Sequence, residues 1–160
     1  MEEQERIVDQ MRRAHLGASW TGASLVPLLE RIDWRHAAAR PVPNAHTIWE
    51  IVRHLLATQR LLVDLLDGAA PAEAGQEDWP PVGAVNAEAW TALLEEFRDG
   101  EAAVRRATAS LPVEVLDEPL RPGGSSAYNN LHGYVQHALY HGGQISVLAS
   151  AARAAFGPES

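Results

Sequence analysis

Two residue types that often carry protein chemistry are missing from this chain of 160 residues: cysteine and lysine. Without cysteine, disulfide bonds, a thiol nucleophile and thiolate metal ligands are all excluded. All thirteen basic residues are arginine. A Schiff-base enzyme and a phosphate-binding loop of the Walker type both need lysine, so neither is available in its usual form.

Positive charge and long apolar runs are also scarce. The formal net charge is −8 and no run of basic residues is longer than a pair such as Arg105-Arg106, so nucleic acid and anionic membranes are poor partners on electrostatic grounds. No apolar run approaches the ~18–20 residues that span a bilayer, and the N-terminus is acidic where a secretory signal would be basic and then apolar. We therefore expect a cytoplasmic protein that binds neither nucleic acid nor membranes.

Helical patterning extends along a chain whose length suits a single domain, residues 1–160. Apolar residues recur at intervals of three and four, and segments rich in proline and glycine separate the periodic stretches. The predicted helices run from Glu2 to about Leu16, from Leu25 after a Ser24 cap to Ile32, from Thr47 to Leu66, from Ala87 after an Asn86 cap to about Ser110, and from Ser125 or Ser126 to about Phe156. Four main helices with two longer connections predict an all-α fold, a four-helix bundle, whose facing helices can build a metal or ligand site.

A pair of histidines in the last predicted helix is the strongest sign of chemistry. His137 and His141 are four residues apart, so their side chains leave adjacent turns of one face and suit two imidazoles that share a metal. Such pairs also arise by chance, so the inference depends on a third ligand. His54 is the candidate, since it lies in the middle of the apolar stripe of the helix from Thr47 to Leu66. Three nitrogen ligands would leave a divalent ion one open position, and zinc, nickel or another borderline metal fits equally well.

Polar residues close to these histidines have two interpretations each. Gln144 could orient a substrate or a bound water, or it could hydrogen-bond another helix. Tyr134 could bond a substrate, or it could be a core tyrosine with its hydroxyl at the rim. Glu50, one turn before His54, could be a general base, although its place in the capping box with Thr47 already accounts for it.

Two further features also leave alternatives open. Gly142-Gly143 costs about 1 kcal/mol per glycine in a helix, which indicates close approach of either a neighbouring helix or a ligand. Trp20 and Trp79 could wall a pocket or pin their loops to the bundle. His132 points away from the face of the histidine pair, and no function is assigned to it. The same holds for the three histidines outside the matched motifs: His15, His36 and His46.

Two motifs resemble the signatures of the DinB/YfiT-like proteins. They are Thr47-Ile-Trp-Glu-Ile-Val-Arg-His54 and His137-Ala-Leu-Tyr-His141-Gly-Gly-Gln144-Ile, with further agreement over residues 25–43 and 77–81. The resemblance covers nearly the whole chain. It implies an up-down-down-up bundle, usually a homodimer, that binds a divalent metal through the three histidines. One departure is Thr21 after Trp20, where similar proteins often have histidine.

The resemblance also implies an activity. Better-understood members are transferases or isomerases that use a low-molecular-weight thiol, such as bacillithiol or mycothiol. The leading hypothesis is a metal-dependent enzyme whose metal activates either a thiol, giving a transferase of small-molecule electrophiles, or water, giving a hydrolase. The alternatives are a non-catalytic bundle that binds a metal or small ligand in a stress response, and a helical dimerisation module without metal.

Overall fold

The computed structural model describes residues 1–68 and 78–157. Over these ranges the chain forms α-helices and one short 3-10 helix, Val113–Val115, so the predicted all-α fold class is confirmed. The α-helices of the described residues are α1 Glu3–His15, α2 Leu25–Leu29, α3 Trp34–Ala38, α4 Ile48–Leu66, α5 Ala87–Ala109 and α6 Ala127–Phe156.

Side-chain caps fix where the long helices begin. The Thr47 hydroxyl accepts from the Glu50 amide at 3.1 Å, and the Glu50 carboxylate accepts in return from the Thr47 amide at 2.7 Å. This is the predicted capping box, which satisfies two backbone donors at the start of α4. Asn86 caps α5 and Ser126 caps α6, each by accepting a backbone N–H three residues further on.

The segment between α1 and α4 differs from the sequence expectation. The helix predicted from Leu25 to Ile32 ends at Leu29, and the unforeseen α3 follows. Asp33 separates the two because its carboxylate accepts from the amides of Arg35 and His36 and caps α3. The Ser24 hydroxyl does not cap α2 and instead donates to the carbonyl oxygen of Arg13 at 2.7 Å. The predicted cap at Ser24 is therefore wrong in its side-chain bond, which ties α2 to the end of α1.

The four long helices form the bundle. Helices α1 and α4 each pack against both α5 and α6, and the short α2 and α3 pack against α6. This arrangement places α4 beside α6, the two helices that carry the candidate metal ligands. The order of helix directions, up-down-down-up, stays a prediction of the family resemblance.

The core of the bundle contains large aromatic side chains from α4 and α5. Trp49 and Phe97 are buried, and Trp49 lies against Trp90 with ring centroids 5.1 Å apart. The Trp90 indole N–H donates to the carbonyl of Ile32 at 2.9 Å, which satisfies its one polar group. This bond anchors the end of the α2 segment to α5.

The two longer connections are irregular where the structure describes them. A loop is predicted over residues 69–86; residues 78–86 contain no helix, and residues 69–77 lie outside the described residues. The second connection contains the 3-10 helix and an isolated bridge between Pro119 and Ser126. Within the described ranges, no helix combines the length and the apolar character that crossing a membrane requires.

Candidate metal centre

Three histidines from two helices meet beside the core. His54 comes from α4, and His137 and His141 come from adjacent turns of α6. The Nε2 atom of His137 lies 2.8 Å from Nε2 of His54 and 2.9 Å from Nε2 of His141. His54 and His141 are buried and His137 is partly buried. His54 and His137 are 83 residues apart in the sequence. In the structure they converge with His141, each through its Nε2 atom.

The outer nitrogens of two of these rings have acceptor partners. His54 Nδ1 lies 2.7 Å from the backbone carbonyl oxygen of Asp78, and His141 Nδ1 lies 2.7 Å from Oε1 of Gln144. A carbonyl oxygen only accepts, so both Nδ1 atoms carry the proton and both Nε2 atoms present a lone pair to the centre. Facing lone pairs repel unless a proton or a cation lies between them. A metal ion satisfies all three nitrogens at once.

The surroundings keep the α6 imidazoles neutral. Burial, together with the nearby His141 and His54, lowers the pKa of His137 from 6.5 to about 4. Burial also lowers the pKa of His141, and the neighbouring histidines act in the same direction. Neutral imidazole is the form that binds a metal, so these rings are ready to coordinate at neutral pH.

An indole ring braces the third ligand. Trp79 stacks on His54 with ring centroids 4.2 Å apart and on His46 with centroids 3.6 Å apart, and both pairs are nearly parallel. Trp79 thus walls the site and pins residues 78–79 to the bundle, which joins the two interpretations of this residue. Trp20 is fully exposed and lines a separate shallow groove with Thr21, away from the histidines.

A cavity of about 1020 Å³ opens beside the three imidazoles. Its lining is mainly apolar and includes Val42, Ile51, Tyr140, Val147 and Leu148. A volume of this order suits a small organic molecule. The cavity therefore gives a ligand direct access to the point where the Nε2 atoms meet.

The two consecutive glycines of α6 differ in their surroundings. Gly143 lines the cavity, and a Cβ atom built there would meet nothing within 4 Å. At Gly142 a Cβ would be in ordinary contact with Leu25, at 3.9 Å. No neighbouring helix backbone demands either glycine. Of the two interpretations of this pair, the placement of Gly143 favours the ligand.

Gln144 lines the cavity and hydrogen-bonds His141, one of the three candidate metal ligands. Besides accepting from His141, its amide donates to the Tyr140 hydroxyl at 3.1 Å. These two bonds fix both the amide orientation and the His141 tautomer. The predicted role of Gln144 in catalysis stays a prediction, and its contacts make it a positioning residue for His141.

Tyr134 lies one turn below His137, in the core. Its hydroxyl is 3.3 Å from the Gln59 amide nitrogen, which donates to it, and its ring stacks on His15 at 5.0 Å. Burial raises the pKa of Tyr134 above its ordinary value, so the phenol stays protonated. It lines a smaller cavity that also reaches His137, and its catalytic role stays a prediction.

The Glu50 carboxylate is engaged in hydrogen bonds at the start of α4. Its carboxylate accepts from the Thr47 amide and from the Arg40 guanidinium, at 2.7 and 2.8 Å. Burial raises the pKa of Glu50, but these hydrogen bonds outweigh it and the pKa lies below its usual value. A carboxylate held in this way is a weak base, and Glu50 is not among the residues lining the large cavity. A role as general base stays a prediction.

Three contributors to the site were not anticipated: His46, the Asp78 carbonyl and Tyr140. His46 joins the stack on Trp79, although 33 residues separate them and no local pattern links them. The Asp78 contact uses a backbone atom, which residue types cannot reveal. Tyr140 could have been found from the helical pattern, because it lies four residues before Gln144.

The hydrogen bond to His141 leads to a prediction about Gln144. Gln144→Ala should weaken metal binding about tenfold, at the low end of what loss of such a supporting bond costs. Gln144→Glu should bind nearly as well as the wild type, because a carboxylate oxygen can still accept from Nδ1. Titration against a competing chelator measures both. Asn130→Ala, an amide on the same helix bonded to backbone carbonyls, is the control, and equal affinity in all four proteins would contradict the role.

Comparisons with known proteins agree with this architecture. The sequence model of the DinB superfamily matches residues 18–145. A search of curated proteins found no match. The crystal structure of a conserved protein from Enterococcus faecalis superposes with a TM-score of 0.73 at 15% identity, covering 96% of this chain and 99% of that one. At this identity the structural likeness establishes the fold alone.

Proposed function

Since this chain belongs to the DinB superfamily, we propose that it is a metal-dependent enzyme that holds a divalent ion, zinc or nickel, through His54, His137 and His141. Its reaction would use an activated thiol or an activated water on a small-molecule substrate. The thiol version makes it a transferase, and the water version makes it a hydrolase. The homodimer implied by the resemblance belongs to the same proposal.

The convergence of three Nε2 atoms carries this proposal. Among the described residues, these histidines form a group whose ligand atoms all lie within 4.8 Å of one another. The donor set fits zinc or nickel, which accept neutral imidazole nitrogens. Because the set supplies three ligands and opens onto a cavity, it has the form of a catalytic site, whereas structural zinc sites use four protein ligands.

The residues around the triad have defined tasks in this scheme. When bound, the metal would supply Lewis acidity that lowers the pKa of a thiol or water. The Asp78 carbonyl and Gln144 orient His54 and His141 and fix their tautomers. Ile51, Val147 and Leu148 give the cavity apolar walls that limit water around the reacting groups.

Metal content and turnover together test the proposal. Protein purified without an affinity tag should contain about one zinc or nickel per chain by elemental analysis. Incubation with an uncharged thiol and a small electrophile should consume the thiol only while the metal is present. Absence of stoichiometric metal would refute the metal site. Metal that affects thermal stability alone, with no reaction of thiol or of hydrolysable esters, would favour the non-catalytic alternative.

A further inference from the structure

The large cavity offers no arginine or lysine side chain to a ligand. Among the described residues that line it there is no arginine. The sequence contains no lysine, and the segments 69–77 and 158–160, which lie outside the described residues, contain no arginine either. Every arginine therefore belongs to the described part of the chain and lies outside the cavity lining.

Arg53 precedes His54 in the chain but is not among the residues that line the cavity, and Arg40, which lies shortly before the lining residue Val42, is already paired. Arg40 donates to Glu50 at 2.8 and 3.1 Å and to the carbonyl oxygen of Ala45. His46 lines the cavity, but its Nδ1 atom lies 3.5 Å from the same Glu50 carboxylate. The Arg40 guanidinium is therefore already paired, and the Glu50 carboxylate lies beside His46.

Negative charge near the cavity also disfavours anionic ligands. The Asp78 side chain lines the cavity and is 78% exposed. The whole chain carries a formal net charge of −8. An approaching carboxylate or phosphate would meet repulsion from both the mouth of the cavity and the wider surface.

The apolar part of the lining points to what the cavity does accept. Tyr140 and Val147 are 63% and 66% exposed, although both line the cavity. Both faces of Trp79 are covered by imidazoles, so a ligand would contact the edge of this indole. The Tyr140 ring and the aliphatic side chains remain as its contact surface.

From these observations, and resting on the proposed function, we infer that the cavity selects an uncharged, apolar ligand of the thiol or electrophile class and rejects ligands that bear carboxylate or phosphate. With three histidine ligands, the metal would offer one open position, and the ionised donor atom of the ligand would occupy it. A second anionic group would lie among apolar walls without a partner, which is costly. Thiols rich in carboxylates are therefore poor co-substrates for this chain.

A matched pair of thiols tests the selection. We would titrate zinc-loaded protein with 4-(mercaptomethyl)benzamide and with 4-(mercaptomethyl)benzoate by calorimetry at pH 7.5. The two differ by one charge and hardly in shape. The amide should bind at least tenfold more tightly. Equal affinities, tighter binding of the carboxylate, or no binding of either thiol would overturn the inference.

A charge placed in the cavity should change the preference. Val147→Arg puts a guanidinium on an exposed lining position of α6 and should reduce the tenfold difference to threefold or less. Val113→Arg makes the same substitution at an exposed position outside the cavity and should leave the difference unchanged. Equal effects of both variants would assign the preference to overall charge and overturn the inference.

The metal content of the same samples tests the proposed function separately. One zinc per chain without a preference between the thiols overturns the selection alone. A preference that persists in protein unable to retain zinc overturns the metal chemistry alone.

Discussion

Replacing His54 or His137 by alanine is expected to lower metal affinity at least a hundredfold. Each ring contributes one of three converging Nε2 atoms, and even loss of a supporting partner of a metal ligand typically costs about 10–100-fold. His54 is the triad ligand from α4, so its loss also unlinks α4 from α6 at the metal, whereas His141 would still join α6 to the metal after loss of His137. Elemental analysis after dialysis, with chelator competition for the affinities, provides the measurement.

His132→Ala is the control for these substitutions. His132 lies on the same helix as His137, but its ring packs on Tyr128 with centroids 4.3 Å apart and is not part of the triad. This variant should retain the metal content of the wild type. Circular dichroism of each variant checks that the helices persist, so that metal loss is not mistaken for unfolding. Equal metal content in the wild type, His54→Ala and His137→Ala would refute the assignment of the three histidines as metal ligands.

The stability of the protein should fall by about 2 kcal/mol between pH 7 and pH 5 through His15 alone. Burial lowers the pKa of His15 from 6.5 to about 4 in the folded chain. The unfolded chain therefore takes up a proton near pH 6.5 that the folded chain refuses until about pH 4. The contribution of His15 is complete above pH 6.5 and is lost as the pH falls through this window. Urea unfolding at the two pH values measures the difference.

Two substitutions isolate this effect from other titrating groups such as His137. His15→Asn keeps a donor near the position of Nδ1, which bonds the Met11 carbonyl at 2.9 Å. His15→Phe keeps a ring to stack on Tyr134. Each variant loses stability from imperfect packing at both pH values, but each should lose about 2 kcal/mol less than the wild type on acidification. An unchanged pH dependence in both variants would show that His15 is not the responsible group.

Local signals predicted the parts of the fold that depend on local chemistry. The capping box at Thr47 and the Asn86 cap each act within three residues, so residue types at fixed offsets are sufficient to place the starts of α4 and α5. The spacing of His137 and His141 likewise determines that they share a face of α6. The prediction that His54 joins them depended on the apolar stripe of α4 together with the family resemblance.

Contacts between distant segments account for what was missed. Helix α3 is five residues long and begins at a single aspartate, too short for periodicity to indicate it. The partner of the Ser24 hydroxyl is a backbone carbonyl eleven residues away. Trp79 meets His46 and His54 because residues 78–79 lie against α4, far from it in the sequence. Sequence patterns carry no signal for such contacts.

The bond between His54 and the main chain of Asp78 has a thermodynamic consequence. A cation that favours the bonded orientation of this imidazole must also favour docking of residues 78–79, and by the same free energy. Docking of that segment and cation affinity are therefore reciprocally linked. A molecule that competes for the Asp78 carbonyl would therefore lower the affinity for the cation without contacting the cation.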